Sequence, residues 1–286
     1  MKNAREYEKK VRKLLGGMGK APAPAPADPA ERIPLLIQSI LEEDASSDQA
    51  AQAYRALMEE FVDLNELRVS PAKEIVEHLG KDYPAGRLKA ETLTGALDTI
   101  FDKTCTMTVA YVDKLSKRDL RRHLREIGLS PYAAADVVLR AFGGHAVPVG
   151  LDLVEVLEMD GCVHPGSDVA DVQGFLERII PQKDALAART FLREYIEKHR
   201  PALTDKRRKE ALVRQEAERQ KARAEAAAKA QADRKAAEAA ARQAAKQAKA
   251  AARKAALKAR SDSKKKAAAE KKKVKAPKAR GTSKKK

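Results

Sequence analysis

Tryptophan is absent from the 286 residues, and only two cysteines occur, Cys105 and Cys162. They lie far apart with no CxxC pairing, which argues against a disulfide framework and against a zinc or iron–sulfur site held by cysteines. Cys162-Val163-His164 could offer two ligands, too few for a metal site. No metal and no cofactor is expected. No run of about 18 apolar residues occurs, and Met1 is followed by charged sequence rather than an apolar signal core. The expectation is a soluble, cytoplasmic chain, the bacterial nucleoid included, with no membrane contact. Sustained period-two alternation is missing as well, which removes the signal for half-buried strands.

Charge is abundant but unevenly placed. From Pro201 to the end there are 30 Lys and Arg against 9 Asp and Glu, a net +21, whereas the residues before it carry 28 against 32, a net −4. A mildly acidic body therefore carries a strongly basic tail. Lysine and arginine set on phosphates release condensed counterions, so a polyanion is the partner such a tail suits. DNA is the first candidate and RNA the second. An anionic membrane fits less well, because the tail has no bulky apolar face.

Residues 1–15 predict a short helix, with Tyr7, Val11, Leu14 and Leu15 on one stripe. Gly16, Gly17 and Gly19 end it. Residues 16–30 form a Gly/Pro-rich linker whose APAPAPADPA is expected to be extended and to space the helix from the body. Residues 31–203 hold about nine segments of helical period joined by short Gly, Pro, Ser and Asp connections, which reads as an all-α domain. Glycine and proline are missing from Thr204 to Arg260, where alanine, lysine, arginine, glutamate and glutamine dominate. Residues 204–260 are expected to form a long exposed helix with no broad apolar face. Residues 261–286 resemble the lysine–alanine–proline tails of linker histones and are expected to be disordered.

One stretch of the body carries a functional signal. IGLSPYAAADVVLRAF, residues 127–142, follows a helix bearing Lys117, Arg118, Arg121, Arg122, His123 and Arg125. Ser130 suits an N-cap and Pro131 the first helical position. The free N–H groups and positive dipole end of such a helix attract an anion. Upstream lie LIQSILEEDASSDQAAQA (36–53) and Lys89-Ala90 within LKAETLTGALDTIF; downstream lies HAVPVGLDLVEVL. In this order the segments resemble the helix-hairpin-helix, endonuclease-III-like DNA glycosylase superfamily over residues 31–200. The resemblance implies a two-lobed all-α fold, DNA bound across a cleft and a damaged base turned out of the duplex, because the glycosidic bond is inaccessible inside the stack. The basic cluster and the capped helix start make Arg121, Arg122, Arg125, Gly128 and Ser130 the candidate DNA contacts, and the resemblance adds Lys89.

The departures from the family are as informative. Its hairpin is typically Leu-Pro-Gly-Val-Gly, and here Ile127-Gly128-Leu129-Ser130-Pro131 replaces the second glycine by a proline that has no N–H. The lysine that attacks the sugar in bifunctional members corresponds to Ala133, which has no nucleophile. The aspartate that steadies the sugar cation corresponds to Gly150. Asp152 is the nearest substitute, yet two residues turn a helical side chain through about 200°. The wedge position holds Asp44, and the cluster cysteines are missing. Glu42, Glu43 and Asp44 are expected to be a solvated helix end. The expected function is DNA binding on a base-excision-repair type of domain that has lost its signature residues. An active monofunctional glycosylase using Asp152 or another carboxylate is the alternative, and a structural nucleoid protein the second. A carboxylate opposite the hairpin separates the enzyme from the binding proteins.

Overall fold

The computed structural model describes residues 4–273, and among these there is no strand, only a single bridge between Pro26 and Phe142. Eleven α-helices are present among the described residues: α1 Ala4–Leu15, α2 Arg32–Glu42, α3 Ser47–Glu60, α4 Leu64–Val69, α5 Ala72–Leu79, α6 Gly86–Thr104, α7 Lys117–Glu126, α8 Pro131–Phe142, α9 Leu151–Met159, α10 Val169–Ile179 and α11 Ala185–Lys273. None is long and apolar enough to cross a membrane. The chain divides into two compact units, Met1–Arg208 and Lys209–Lys286.

In the first unit α3 packs on α5, α5 and α4 pack on α6, and α2 touches α3 and α6 on one side and α8 on the other. The α8 helix is central, with Tyr132 through Leu139 and Ala141 all buried. Most of these are small or β-branched, which lets neighbouring helices approach closely. α4 has no counterpart in the sequence reading, because six residues are too few to establish a helical period. It is started by Asp63, whose carboxylate accepts from the amides of Asn65 and Glu66 at 2.8 and 2.9 Å.

The N-terminal helix is not spaced from the body. Val11 is fully buried, Tyr7, Leu14 and Leu15 pack on the common core, and Lys10 Nζ donates to the Gly161 carbonyl at 2.9 Å. The proline-rich segment docks too, with the Ala27 amide on the Ala141 carbonyl at 3.1 Å. Burial of the α1 stripe outweighs the stiffness that composition alone assigned to the linker.

The boundary expected between residues 203 and 204 falls inside one helix. Within the first unit α11 runs through Pro201, although proline deletes one helical hydrogen bond and crowds the preceding turn. Leu203, 1% exposed, packs on one side of that turn, while Arg200 and Arg207 pair with Asp152. These contacts hold the helix together there, so the body extends beyond residue 203.

In the second unit the described residues are helical and every described side chain is exposed. Residues 261–273, expected to be disordered, continue α11. Alanine and lysine propagate a helix once it has started, and no proline occurs before Pro277. The rest of the expected tail, 274–286, lies outside the described residues.

Candidate functional site

The turn between α7 and α8 is built by local chemistry. Gly128 takes φ +98°, the left-handed region open to glycine at little cost, and the Leu129 amide reaches back to the Leu124 carbonyl at 3.2 Å. Leu129, fully buried, anchors the turn in the core. Ser130 Oγ then accepts from the Ala133 amide at 3.0 Å and starts α8, with Pro131 in its first turn. A Cβ at Gly128 would meet nothing within 4 Å. The glycine faces open space.

That space is a cavity of about 400 Å³ lined by Gly128, Ser130 and Ala133 of the hairpin, Glu43 and Asp44 from the end of α2, Lys89 and Thr92 of α6, and Leu151 of α9. Ile40, Pro84, Ala85 and Leu88 complete an apolar wall. Among the lining residues Leu88 and Leu151 are 65% and 57% exposed. A few convergent polar groups on an apolar wall are what a small-molecule or nucleoside site requires.

The end of α2 is not the solvated carboxylate group expected from composition. Glu42 is drawn into an ion network with Arg140, Arg189 and Arg193, and Arg189 and Arg140 also hold the fully buried Asp136. Glu43 and Asp44 turn toward the cavity instead. Burial pushes the Glu43 carboxyl above its ordinary value, against the opposing hydrogen bond from Ser130 and the charges of Lys89 and Arg125. Burial also raises the Asp44 carboxyl, while the Asp152 amide and Lys89 favour its anion.

Lys89, expected to touch DNA, is 5% exposed and faces inward. Its Nζ donates to the carbonyls of Leu41 and Glu43 at 3.0 and 2.5 Å, satisfying acceptors that the last turn of α2 leaves open. Burial lowers its pKa to about 8, against the pull of Glu43, Asp44 and Asp152. Here it ties down the α2 terminus and lies near the charges of Glu43 and Asp44.

The arginines of α7 divide their tasks. Arg121 forms a fork with Glu177 at 2.8 and 3.2 Å and also reaches the His145 carbonyl, so it ties α7 to α10. Arg125 donates to the Leu129 carbonyl and braces the turn. Arg122, its side chain 64% exposed, pairs within α7, with Asp119 and Glu126. Lys117, Arg118, Arg121, Arg122 and Arg125 nonetheless line one open groove of about 520 Å³. The structure thus assembles the expected basic surface, though two of its three central arginines also hold the fold together.

Asp152 is 2% exposed and sits in the first turn of α9 between Arg200, at 3.2 Å, and Arg207, whose Nη2 approaches Oδ1 to 2.8 Å without hydrogen-bond alignment. It belongs to a tight space of about 20 Å³ rather than to the cavity beside the hairpin. Two guanidiniums thus flank Asp152. Ala133 lines the cavity and offers no amine, and Gly150 forms the N-cap of α9 without a side chain. Glu43 and Asp44, expected to be solvated, line the cavity. Among the described residues no group of three or more His, Cys, Asp or Glu is arranged to hold a metal ion.

No protein-family profile matches the sequence, and no curated protein matches it. Solved structures do. A trapped endonuclease III–DNA covalent intermediate is 19% identical, covering 66% of this chain and 82% of that one with a TM-score of 0.47. The 8-oxoguanine glycosylase/lyase of Clostridium acetobutylicum with duplex DNA is 16% identical over 70% of this chain and 71% of that one, TM-score 0.48. The 3-methyladenine DNA glycosylase of H. pylori bound to 1,N6-ethenoadenine is 14% identical over 69% and 98%, TM-score 0.46.

Proposed function

We propose that the protein binds duplex DNA, with the basic groove of α7 and the hairpin setting the body on the phosphates and the cavity beside the hairpin receiving a nucleotide turned out of the stack. The observation that carries this reading is a basic groove lined by α7 together with a half-apolar cavity whose wall includes the glycine turn that follows α7. Phosphate contacts position such a protein and carry little sequence information. The tail, with its excess of lysine and arginine, supplies most of the affinity. Strand scission through a Schiff base at position 133 is not part of the proposal, because alanine has no amine to attack the sugar.

Binding is tested by titrating labelled duplex with the full chain and with residues 1–208 across a salt series. Each phosphate neutralised steepens the slope of log affinity on log salt by about 0.9, so removal of the tail should flatten it by several such steps. Residues 1–208 should retain weak binding that Lys117→Ala with Arg122→Ala lowers further. Equal slopes for the two lengths would rule out the tail. Unchanged binding in the double variant would rule out the groove. A duplex RNA competitor that displaces the DNA equally well would shift the reading to nucleic acid in general.

A further inference from the structure

We propose that residues 239–261 of α11 are the DNA-docking element of the second unit, a one-sided cationic face of a helix laid along the phosphates of a single duplex, and that residues 209–238 of the same helix take little part. The inference rests on the duplex-binding reading and assigns the tail's share of it to named residues.

The charge of the tail is not spread evenly. Residues 209–238 carry 8 Lys and Arg against 6 Asp and Glu, a net +2, whereas residues 239–261 carry 7 against none, a net +7. Both segments are helical and exposed throughout. In the first, Glu210 stands four residues before Arg214 and Glu225 four before Lys229, a spacing at which opposite charges offset each other on a helix surface. In the second, Lys246, Lys249, Arg253 and Arg260 have no acid three or four residues away on either side. At about 100° per residue, these four and Arg242 fall within about 60° of one another, and Lys254 and Lys258 lie on the same half of the surface. The other half, between residues 242 and 260, is alanine throughout, from Ala244 to Ala259.

Such a face is unfavourable in the free chain and suits a polyanion. Arg242 and Lys246, Lys246 and Lys249, and Lys249 and Arg253 stand four, three and four residues apart, where like charges repel on a helix surface. Alanine, the strongest helix former, keeps the segment helical against that repulsion, and a row of phosphates relieves it. From Arg242 to Arg260 the stripe rises about 27 Å, at about 1.5 Å per residue. B-DNA carries one phosphate charge per about 1.7 Å of its axis, so a row of cations laid along it meets phosphates over its whole length. The alanine half offers no charge to a second duplex. Leu257 is the one bulky apolar residue of the segment, so an anionic membrane finds no apolar face to hold.

Three variants of the full chain separate the placement of charge from its amount. The first combines Arg242→Gln, Lys246→Gln, Lys249→Gln, Arg253→Gln and Arg260→Gln; glutamine is nearly as good a helix former as the residues it replaces. The second removes the same five charges from the balanced segment, through Arg214→Gln, Arg219→Gln, Lys221→Gln, Arg223→Gln and Lys229→Gln. The third keeps the composition nearly constant and moves two cations to the alanine half, Lys246→Ala with Ala248→Lys and Arg253→Ala with Ala255→Arg. Affinity for a labelled undamaged duplex is measured across a salt series. The slope of log affinity on log salt should fall by about 4.5 in the first variant, five steps of about 0.9, by about two steps in the third, and by about one step or less in the second. Equal slopes for the first and second variants overturn the proposal and leave the duplex-binding reading standing, as does a third variant indistinguishable from the native chain. Failure of the native chain to bind duplex removes both. Vesicles of phosphatidylserine and phosphatidylcholine replace the duplex in a parallel series; binding that needs the five cations on vesicles and not on duplex makes a membrane the partner and also overturns the proposal.

Discussion

At the residue scale, the buried charges are the most consequential groups in the body. Asp136 is fully buried and accepts from Ser39 Oγ at 2.7 Å, Arg140 at 3.2 Å and Arg189. Burial alone would raise its carboxyl, but the guanidiniums of Arg189 and Arg140 outweigh burial and hold it below the ordinary 3.8. Asp136→Asn leaves both arginines with one carboxylate fewer in the interior, and a cost of about 3–5 kcal/mol in urea unfolding at neutral pH is expected. Because the folded value is depressed, the contribution is complete above the unfolded value and is lost as the pH falls through the folded one. The native chain should therefore lose its advantage over the variant below pH 3.8. Lys89 behaves in the opposite sense. Burial lowers it to about 8 from 10.5, so its charged form opposes folding below about 8 and that opposition lifts as the pH rises toward 10.5. In urea titrations at successive pH values, the stability of the native chain relative to Lys89→Met should rise between 8 and 10.5; a flat difference would mean that the amine is not desolvated.

At the scale of elements, the hairpin and α7 combine a structural face with an open one. Arg121→Ala removes the fork to Glu177 and should lower stability by about 1 kcal/mol, a modest value because the arginine is partly exposed and solvent screens the pair. Arg122→Ala should leave unfolding within about 0.5 kcal/mol of the native value. In residues 1–208 it should reduce the DNA salt slope by about 0.9, the share of one phosphate. If both variants changed stability equally and neither changed the slope, α7 would be a structural helix only. Gly128→Ala meets no side-chain obstacle, so any loss of stability it shows, about 1–2 kcal/mol, measures the left-handed backbone alone.

At the scale of the whole molecule, ion pairs tie the end of the first unit to α9. Arg207 joins Asp152 and Glu155, the latter through contacts of 2.9 and 3.1 Å. Asp152, 2% exposed, would be left with Arg200 alone in a chain stopped at residue 203. Residues 1–203 should therefore melt at lower temperature than residues 1–208, since removing a partner from a buried carboxylate exposes the cost of its desolvation. Identical melting temperatures would place the boundary of the body before Arg207.

Helical periodicity and caps made most of the elements legible from the sequence, because the spacing of apolar residues and the Ser and Asp caps are local properties. Ser130, Pro131 and Gly128 are read correctly for the same reason, each acting on its own turn. The excess of cations after Pro201 was equally open to reading, since charge belongs to the residue itself. Tertiary structure decided what those local rules could not reach. It docked α1 on the body, carried α11 through Pro201 and turned Lys89 inward, because burial against distant residues outweighed local composition. It also engaged Asp152 with Arg200 and Arg207 and brought Asp44 into the space before α9. Residues 44 and 150 are far apart in the chain, and only packing sets the Asp44 carboxylate against Gly150.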